Sequence, residues 1–423
     1  MVSPATRPDL ILRGGHVIDP LNGQAFPGNQ IPASRIDPVA AKILGFVPLP
    51  QTDAATNNYV YNSPNDQDTL KWDVRVDHLL SQGHNLYLRY GYQETNNGVS
   101  SPLPPDQAGN YYAGGGNDVS VAKSWVGVHN GVWSPSLVSS IRVGWNGIFW
   151  ENVLPDQPLK GIGIPGVNES NPGFSQIAIT GVRTLGISNV PNNDDSLNRQ
   201  ISGDLTWTRG AHTFKGGLQW YELGIDFLSS QRSSGIFNFN GQYTRQAFAD
   251  FLLGYSSSAS LSKYAELHFR APYTHVFVQD DWRVGRALTL NLGLRYELSP
   301  PAVDTFDKIA NFDLDTDPTS PRIVPAGSES SDWASRALQG VNYKNFAPRA
   351  GFAYALPGDK TVLRGGAGIF YSNLITLGGM QSMEINPPNH VRINQTTSST
   401  AAPSLCSPRA LRPMRSRRRR RAT

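Results

Sequence analysis

The sequence predicts an all-β fold, an antiparallel transmembrane β-barrel, and three observations lead to this prediction. Stretches of strand length alternate between apolar and polar residues, these stretches come in pairs joined by tight turns, and the connections between the pairs are long and polar. The composition agrees, since 41 Gly, 31 Pro, 16 Tyr and 17 Phe accompany only 17% charged residues. No apolar run approaches the ~18–20 residues of a spanning helix. Spanning strands are half polar, so the mean hydropathy of −0.35 is compatible with a barrel.

The stretch 288–298, "LTLNLGLRYEL", shows the alternation most clearly. Its even-numbered residues are apolar, namely Leu288, Leu290, Leu292, Leu294, Tyr296 and Leu298. Its odd-numbered residues are Thr289, Asn291, Gly293, Arg295 and Glu297, most of which are polar. Because successive side chains of a strand point to opposite faces, this strand has one apolar and one polar face. We expect the apolar face to contact lipid.

Five hairpins of this kind are predicted, which gives ten strands. They pair 70–80 with 85–94, 121–133 with 136–150, 199–208 with 212–223, 273–284 with 288–298, and 345–356 with 361–372. Short turns of two to four residues between alternating stretches are typical of β-hairpins. The stretch 260–269, "SLSKYAELHF", is a candidate eleventh strand.

The connections between hairpins are long and rich in Gly, Asn, Asp, Pro and Ser. They cover about 94–120, 151–198, 223–257, 299–342 and the residues after 372. Alternation of short turns with long loops is typical of bacterial outer-membrane barrels. A soluble β-sandwich has strands of ~5–6 residues and short loops. The strands here have ~9–12 residues, which is the length that crosses a bilayer at a tilt.

Aromatic residues near the predicted strand ends support the same fold. They are Tyr90, Tyr92, Trp145, Phe149, Trp150, Trp220, Tyr221, Trp282, Tyr296, Phe370 and Tyr371. Tyr and Trp favour the membrane interface because the ring is apolar while its N–H or O–H stays in water. The alternative is that they fill the core of a sandwich. We expect a girdle at the lipid interface.

Several phrases of the sequence resemble the TonB-dependent outer-membrane receptors of the Oar-like type. The phrases begin with "GNQIPASRIDPVAAKILGFVPLP" and "LKWDVRVDHLLSQGHNLYLRYGY" and continue with "HTFKGGLQWY", "AFADFLLGY", "FVQDDWRVGRALTLNLGLRYE" and "NFAPRAGFAYALPGDKTVLRGGAGIFY". They follow the order of that family and extend over about residues 19–390. Each phrase alone is weak, whereas six in order are a strong resemblance.

The resemblance implies a 22-stranded outer-membrane barrel plugged by an N-terminal domain. Its partners would be outer-membrane lipid and the TonB complex of the inner membrane, and its ligand a siderophore or a glycan. This chain supplies about 10–12 of those strands. It shows no plug, no TonB box, no signal peptide, and no final strand that ends in an aromatic residue. We therefore expect a partial barrel, a fragment of a receptor. Without the resemblance, the missing signal peptide would place the product in the cytoplasm.

The two ends of the chain differ from the part between them, and we predict three regions: an atypical segment 1–30, a partial barrel 31–396 and a tail 397–423. The tail contains eight Arg, no acid and the only cysteine, Cys406. Without the tail, the net charge of +4 becomes −4. An arginine run can bind nucleic acid or act as a targeting signal. We favour disorder or out-of-frame translation and expect no nucleic-acid partner, because no aromatic residue is interleaved with the arginines.

The segment 9–23, "DLILRGGHVIDPLNG", resembles the first strand of amidohydrolases, which is the one indication of an enzyme. Those enzymes hold zinc through a His-x-His pair that follows this segment. No two of the eight histidines are two positions apart, and none lies in 17–77. Without imidazole ligands zinc could not activate a hydrolytic water. We therefore predict no enzyme.

We likewise predict no catalytic residues, no cofactor-binding residues and no metal site. Asp313, Asp315 and Asp317 alternate as in a calcium loop, but the Gly and the closing Glu of such a loop are missing, so we expect a solvated loop. Gly366 and Gly368 lie in a strand pattern and are not expected to bind phosphate.

Charged residues of the predicted strands are candidates for a hydrated lumen. They are Arg75, Asp77, Arg89, Arg142, Lys215, Asp280, Asp281, Arg295, Glu297 and Arg364. The main alternative function is a soluble all-β protein that binds carbohydrate, which as a propeller would require an internal repeat, and no fixed period is found. For a barrel wall we expect aggregation in water, because its lipid face is exposed apolar surface.

Overall fold

The computed structural model of the chain describes residues 16–54, 57–62, 66–99, 116–153, 162–168, 174–187, 193–229, 232–263, 265–358, 360–372, 383 and 385–396. The long strands are β1 Gln67–Ser81, β2 His84–Val99, β3 Gly116–Ser134, β4 Leu137–Val153, β6 Asn193–Arg209, β7 His212–Ser229, β10 Ala265–Arg283, β11 Leu288–Leu298, β15 Phe346–Ala355 and β16 Val362–Gly368. The short strands are β5 Gln176–Ile179, β8 Ile236–Phe239, β9 Ser258–Ser262, β12 Val303–Asp304, β13 Ala310–Asp313, β14 Arg322–Pro325 and β17 Arg392–Thr396. The helices are α1 Pro38–Leu44, α2 Ala247–Leu252 and α3 Trp333–Ala337, and two 3₁₀ turns cover Pro27–Asn29 and Ala33–Arg35.

The ten long strands form one antiparallel sheet in the order β1-β2-β3-β4-β6-β7-β10-β11-β15-β16, and β12 pairs with β10. The five predicted hairpins are confirmed, and so is the antiparallel partial barrel. The hairpin turns fall at 82–83, 135–136, 210–211, 284–287 and 356–361. Because the strands alternate in direction, all five turns lie at one end of the sheet, the turn end, and the long connections lie at the other, the loop end. In the described residues β1 and β16 pair with one neighbour each, so the wall is open.

The candidate eleventh strand at 260–269 is wrong as a separate element of the wall. Its first part belongs to β9, which pairs with β8 and β17 in a second sheet, and its last part begins β10. Alternation shows that a stretch is extended but does not show which strand it pairs with.

The first seven long strands, β1 to β10, exceed the expected ~9–12 residues, since they have 15 to 19 residues each. The last three, β11, β15 and β16, do not, with 11, 10 and 7 residues. The alternating pattern marks only the part of a strand that borders lipid on one face. In β2 the pattern ends at Tyr92, whereas pairing with β3 continues to Val99 through polar residues on both faces. The extra length therefore extends beyond the apolar band at the loop end.

The register of the strands has a regular stagger. One row of paired residues runs across the sheet through His84, Gly131, Ser139, Leu205, Gly216, Val278, Leu294 and Pro348. The number of residues between this row and the turn-side end of a strand increases along the sheet. It is 0 in β2, 2 in β4 (139 to 137), 4 in β6 (205 to 209), 5 in β10 (278 to 283) and 7 in β15 (348 to 355). The stagger is about one residue per strand. With a rise of ~3.3 Å and a spacing of ~4.8 Å, it corresponds to a strand tilt of about 35°, as barrels require.

A compact unit covers the loop end and is built from parts of the chain that are far apart in sequence. Its sheet has the order β17-β9-β8-β5, with β5 parallel to β8. Helix α1 begins because the Asp37 side chain accepts hydrogen bonds from the backbone N–H groups of Val39 and Ala40. The buried core contains Val39, Ala40, Ile43, Ile162, Ile164, Phe174, Ile177, Ile179, Leu185, Phe237, Phe239, Phe251 and Leu252. We call this assembly the loop-end unit.

A buried carboxylate in α2 should make the stability of the loop-end unit depend on pH. Asp250 is 0% exposed and accepts hydrogen bonds from the backbone N–H and the hydroxyl of Thr244, at 2.8 and 2.6 Å. Burial raises the pKa of Asp250 above its ordinary value. The folded unit therefore binds a proton at pH values where the unfolded chain does not, and this group makes the unit less stable as pH rises above ~4.

We expect the variant Asp250→Asn to lose this part of the pH dependence. The measurement is hydrogen exchange of α2 and β8 in the parent chain and the variant between about pH 4 and pH 7. The difference in opening free energy between the two proteins should change across that range. A difference that is constant with pH would show that Asp250 has an ordinary pKa in the folded chain.

Candidate functional site: the polar face of the wall

The two faces of the wall follow from the strand register. Directly paired residues share a face, so each row assigns one residue of every strand to the same side. On the apolar face Val76, Leu88 and Val278 are 60%, 54% and 63% exposed. The prediction that the leucines of β11 lie on an outward apolar face is confirmed, since Leu292 and Leu294 pair across to Asp280 and Val278 and are 46% and 44% exposed.

The polar face contains nine of the ten charged residues that the sequence assigned to it. The nine are Arg75, Asp77, Arg89, Arg142, Lys215, Asp281, Arg295, Glu297 and Arg364, and the register adds Lys71, Asp73, Asp204 and Arg349. Asp280 is the exception, because it pairs with Leu292 and Phe214 on the apolar face. There its Oδ2 lies 2.7 Å from Nδ1 of His212 at the turn end, whereas its Oδ1 is buried and has no hydrogen-bond partner among the described residues.

Exposed ion pairs lie on the polar face of β1, β2, β4 and β6. Arg75 contacts Asp77 at 2.6 Å along β1, Arg89 contacts Asp73 at 3.0 Å across β1 and β2, and Arg142 contacts Asp204 at 3.2 Å. Such exposed pairs add little to stability, because water and salt screen the two charges. Their main effect is to place fixed charges of both signs along a hydrated surface.

A largely buried polar cluster lies on the polar face where β7, β10 and β11 adjoin. The Arg295 guanidinium donates to Glu297 Oε1 at 2.8 Å and to Gln219 Oε1 at 3.2 Å, and it also donates to Nδ1 of His275. His275 is 4% exposed and Glu297 is 7% exposed. Since Nδ1 of His275 accepts from Arg295, the ring carries its proton on Nε2, which lies 3.2 Å from the hydroxyl of Ser299. Arg295 thus joins side chains of all three strands in one hydrogen-bonded cluster.

Removal of Arg295 should destabilise the wall. Arg295→Ala leaves the buried Glu297 carboxylate without its cation and Gln219 without a donor, and breaking such a pair costs about 3 kcal/mol. Thermal or urea unfolding of the chain in detergent micelles measures the change. Arg364→Ala is the matched control, because Arg364 is exposed on the same face, and we expect it to change stability by less than ~0.5 kcal/mol. Equal effects of the two substitutions would contradict the prediction.

The acidic stretch 313–317 forms local turns. Asp313 accepts hydrogen bonds from the hydroxyl and the backbone N–H of Thr316 and from the N–H of Asp315, and Asp317 accepts from the hydroxyl and the N–H of Thr319. These contacts hold the pKa of Asp313 and of Asp317 below its ordinary value. In the residues with described placement, no group of three or more His, Cys, Asp or Glu side chains could hold a metal ion.

Of the eleven aromatic residues predicted at the lipid interface, seven lie on the apolar face and two do not, while Phe370 and Tyr371 follow the last residue of β16 and the register assigns them to neither face. The register places Tyr90, Tyr92, Trp145, Phe149, Trp220, Trp282 and Tyr296 on the apolar face. Trp150 and Tyr221 lie on the polar face, because each is adjacent in sequence to an outward aromatic residue. Sequence reasoning missed Trp125, Trp133, Trp207 and Phe214, which also lie on the apolar face.

The apolar face forms a band of membrane dimensions. On the loop side the band ends at charged residues that lie on the same face of β2, β3, β6 and β7. They are Glu94, Lys123, Arg199 and Glu222. On β7 the band runs from His212 to Glu222. Ten residues at ~3.3 Å and a tilt of about 35° give a height of about 27 Å, close to the ~25 Å apolar band of outer-membrane barrels. No helix among the described residues is long and apolar enough to cross a membrane.

Comparison with known proteins gives one family and several structures. The sequence model of the family described as "Outer membrane beta barrel domain" matches residues 3–417. No curated protein matches the chain. The outer membrane transporter YddB from Escherichia coli is 11% identical, with a TM-score of 0.42 over 76% of this chain and 34% of that one.

Two other structures give similar values. The P. aeruginosa FpvA complex with a heterologous pyoverdine and iron is 10% identical, with a TM-score of 0.39 over 71% of this chain and 35% of that one. The copper transporter OprC is 13% identical, with a TM-score of 0.38 over 74% and 38%. This chain thus spans little more than a third of the length of these structures.

Proposed function

Since this chain belongs to the outer membrane β-barrel domain family, we propose that it forms part of the wall of a TonB-dependent receptor that takes up nutrients. The chain is an outer-membrane protein. The observation that carries the proposal is the wall itself, with ten tilted strands, one apolar face with a band of about 27 Å, five short turns at one end and long loops at the other. In a complete receptor the turn end would face the periplasm and the loop-end unit the cell exterior.

The polar face would then line the lumen and contact the plug domain of the complete receptor. Its ion pairs and the Arg295 cluster supply polar contacts on that side. A siderophore or a glycan is the ligand class that the sequence resemblance implies, with the TonB complex as energy source. The exposed apolar band argues against the alternative of a soluble carbohydrate-binding protein.

The three regions 1–30, 31–396 and 397–423 remain a proposal for the domain organisation. The described part of the first region contacts the loop-end unit, because Val17 and Phe26 pack against Ala249 and Leu253 of the α2 region. The tail lies outside the described residues, as do positions 9–15 of the amidohydrolase-like segment.

Site-directed labelling tests the orientation of the wall. In a Cys406→Ser background with a secretion signal added, Ser328→Cys places a thiol on the long loop after β14, and Gly285→Cys places one in the β10–β11 turn. A membrane-impermeant maleimide applied to intact cells should label the first variant and not the second. Labelling of both after lysis is the control, and labelling of the turn in intact cells would contradict the proposed orientation.

Uptake tests the finer part of the proposal. The complete receptor should support uptake of a ferric siderophore or a glycan only when the TonB complex is active. Substitution of the exposed Arg142 in that receptor should lower uptake while the amount of inserted receptor stays the same, if the polar face lines the transport path. Uptake that persists without TonB would indicate a passive pore instead.

A further inference from the structure

Two histidines meet on the apolar face at the turn end of the first two hairpins. His84 is the first residue of β2, and His129 lies in β3. The register pairs His84 with Gly131 and Leu86 with His129, so the two imidazoles are diagonal neighbours on one face. Nδ1 of His84 lies 3.3 Å from Nε2 of His129. Both side chains are partly exposed, so the pair is accessible from the interface.

The distance between the two nitrogens matches that of two ligands on one tetrahedral metal ion. Imidazole nitrogens bind Zn²⁺ at ~2.0–2.1 Å. Two nitrogens at that distance from one ion and 3.3 Å apart subtend an angle of about 107° at the metal, close to the tetrahedral value. The pair already has this spacing, and its two rings are 18° from parallel with centroids 5.4 Å apart, so binding requires the imidazoles to rotate toward a common metal position.

The surroundings of the pair hold the His84 ring in place and leave room for it. Trp133 packs edge-on against His84 with ring centroids 4.6 Å apart, and its indole N–H donates to Ser139 at 2.9 Å. A Cβ atom at Gly131 would lie 3.0 Å from both Cε1 and Nδ1 of His84. Glycine at position 131 therefore gives the imidazole its space, and Trp133 fixes its orientation.

We propose that His84 and His129 form a binding site for a divalent transition-metal cation such as Zn²⁺, with water in the remaining coordination positions. In the metal-free chain one ring donates an N–H to the other. On binding, that proton moves through solvent to the other nitrogen of the same ring, and both facing nitrogens present lone pairs to the metal. No net proton is released, because each ring stays neutral. The metal then connects the β1–β2 hairpin to the β3–β4 hairpin.

Calorimetric titration with ZnCl₂ tests the site in the full chain without an affinity tag, folded in detergent micelles. We expect one strong binding event in the parent protein and a loss of at least about tenfold in affinity in His84→Ala and in His129→Ala. His78→Ala is the matched control, since His78 lies on the same face of β1 and pairs with Leu86. Its affinity should equal that of the parent. Absence of binding, or an equal loss in all three variants, would overturn the proposal.

A second variant separates ligand loss from misfolding. Gly131→Ala keeps both histidines and moves the His84 ring, so it should weaken Zn²⁺ binding while the metal-free melting temperature remains near that of the parent. Zn²⁺ should raise the melting temperature of the parent and of His78→Ala by mass action. An equal rise in the double variant His84→Ala/His129→Ala would show that the metal binds elsewhere and would overturn the proposal.

Discussion

Val278→Arg is expected to block insertion of the chain into a bilayer or to destabilise the inserted form by about 2–4 kcal/mol. Val278 is 63% exposed and lies near the middle of the apolar band on β10, paired with Leu294 and Gly216. In the membrane its surroundings are hydrocarbon, which offers no partner to a guanidinium. Urea unfolding of the chain inserted in phospholipid vesicles measures the difference from the parent.

Gln279→Arg is the matched control for this substitution. Gln279 is the next residue of the same strand, is also exposed and lies on the polar face beside Asp281. The same new side chain should therefore change the stability of the inserted chain by less than ~0.5 kcal/mol. A result in which both substitutions have equal effects would show that the assignment of the two faces is wrong.

Transfer of the folded chain from detergent to plain buffer is expected to cause aggregation. The apolar face exposes large side chains on every strand of the wall, such as Leu70, Val278 and Leu363, at 59%, 63% and 57%. Burial of each such side chain away from water lowers the free energy by about 1.5–3 kcal/mol. Association of two or more walls through their apolar faces is therefore strongly favoured. The edges of β1 and β16 add unpaired backbone groups that promote the same association.

Sedimentation and thermal melting measure this second prediction. The chain in micelles should sediment as one species and melt in one cooperative transition, whereas after detergent removal it should form large particles without a transition. The chain without detergent but in 6 M urea serves as the unfolded control. A monomer that stays soluble and melts cooperatively in plain buffer would contradict the membrane assignment of the apolar face.

The hairpins could be predicted from sequence because alternation and turn chemistry are local. The error at Asp280 shows where sequence reasoning stops. Asp280 and Asp281 are adjacent in one strand, so only one of them can lie on the polar face. Asp280 is two and four residues from Val278 and Val276, so strand alternation alone places it with them on the apolar face. Its partner His212 lies 68 residues earlier in sequence, and no local pattern indicates that contact.

The loop-end unit and the polar cluster could not be predicted for a different reason. The core of the unit joins Ile43, Ile177 and Phe251, which no short-range signal connects. Its parallel pair, β5 with β8, has no hairpin turn that would reveal it. The cluster around Arg295 depends on the register of β7 against β10, which the sequence leaves open because the intervening connection is long.

The loop-end unit has a consequence for the order of folding. Each hairpin of the wall can close within microseconds, since its strands are adjacent in sequence. The parts of the unit, by contrast, come from before β1, from the β4–β6 and β7–β10 connections, and from the segment after β16. They meet only when the intervening strands are already side by side. The unit is therefore expected to form last, and its protease resistance would report that a newly made wall is complete.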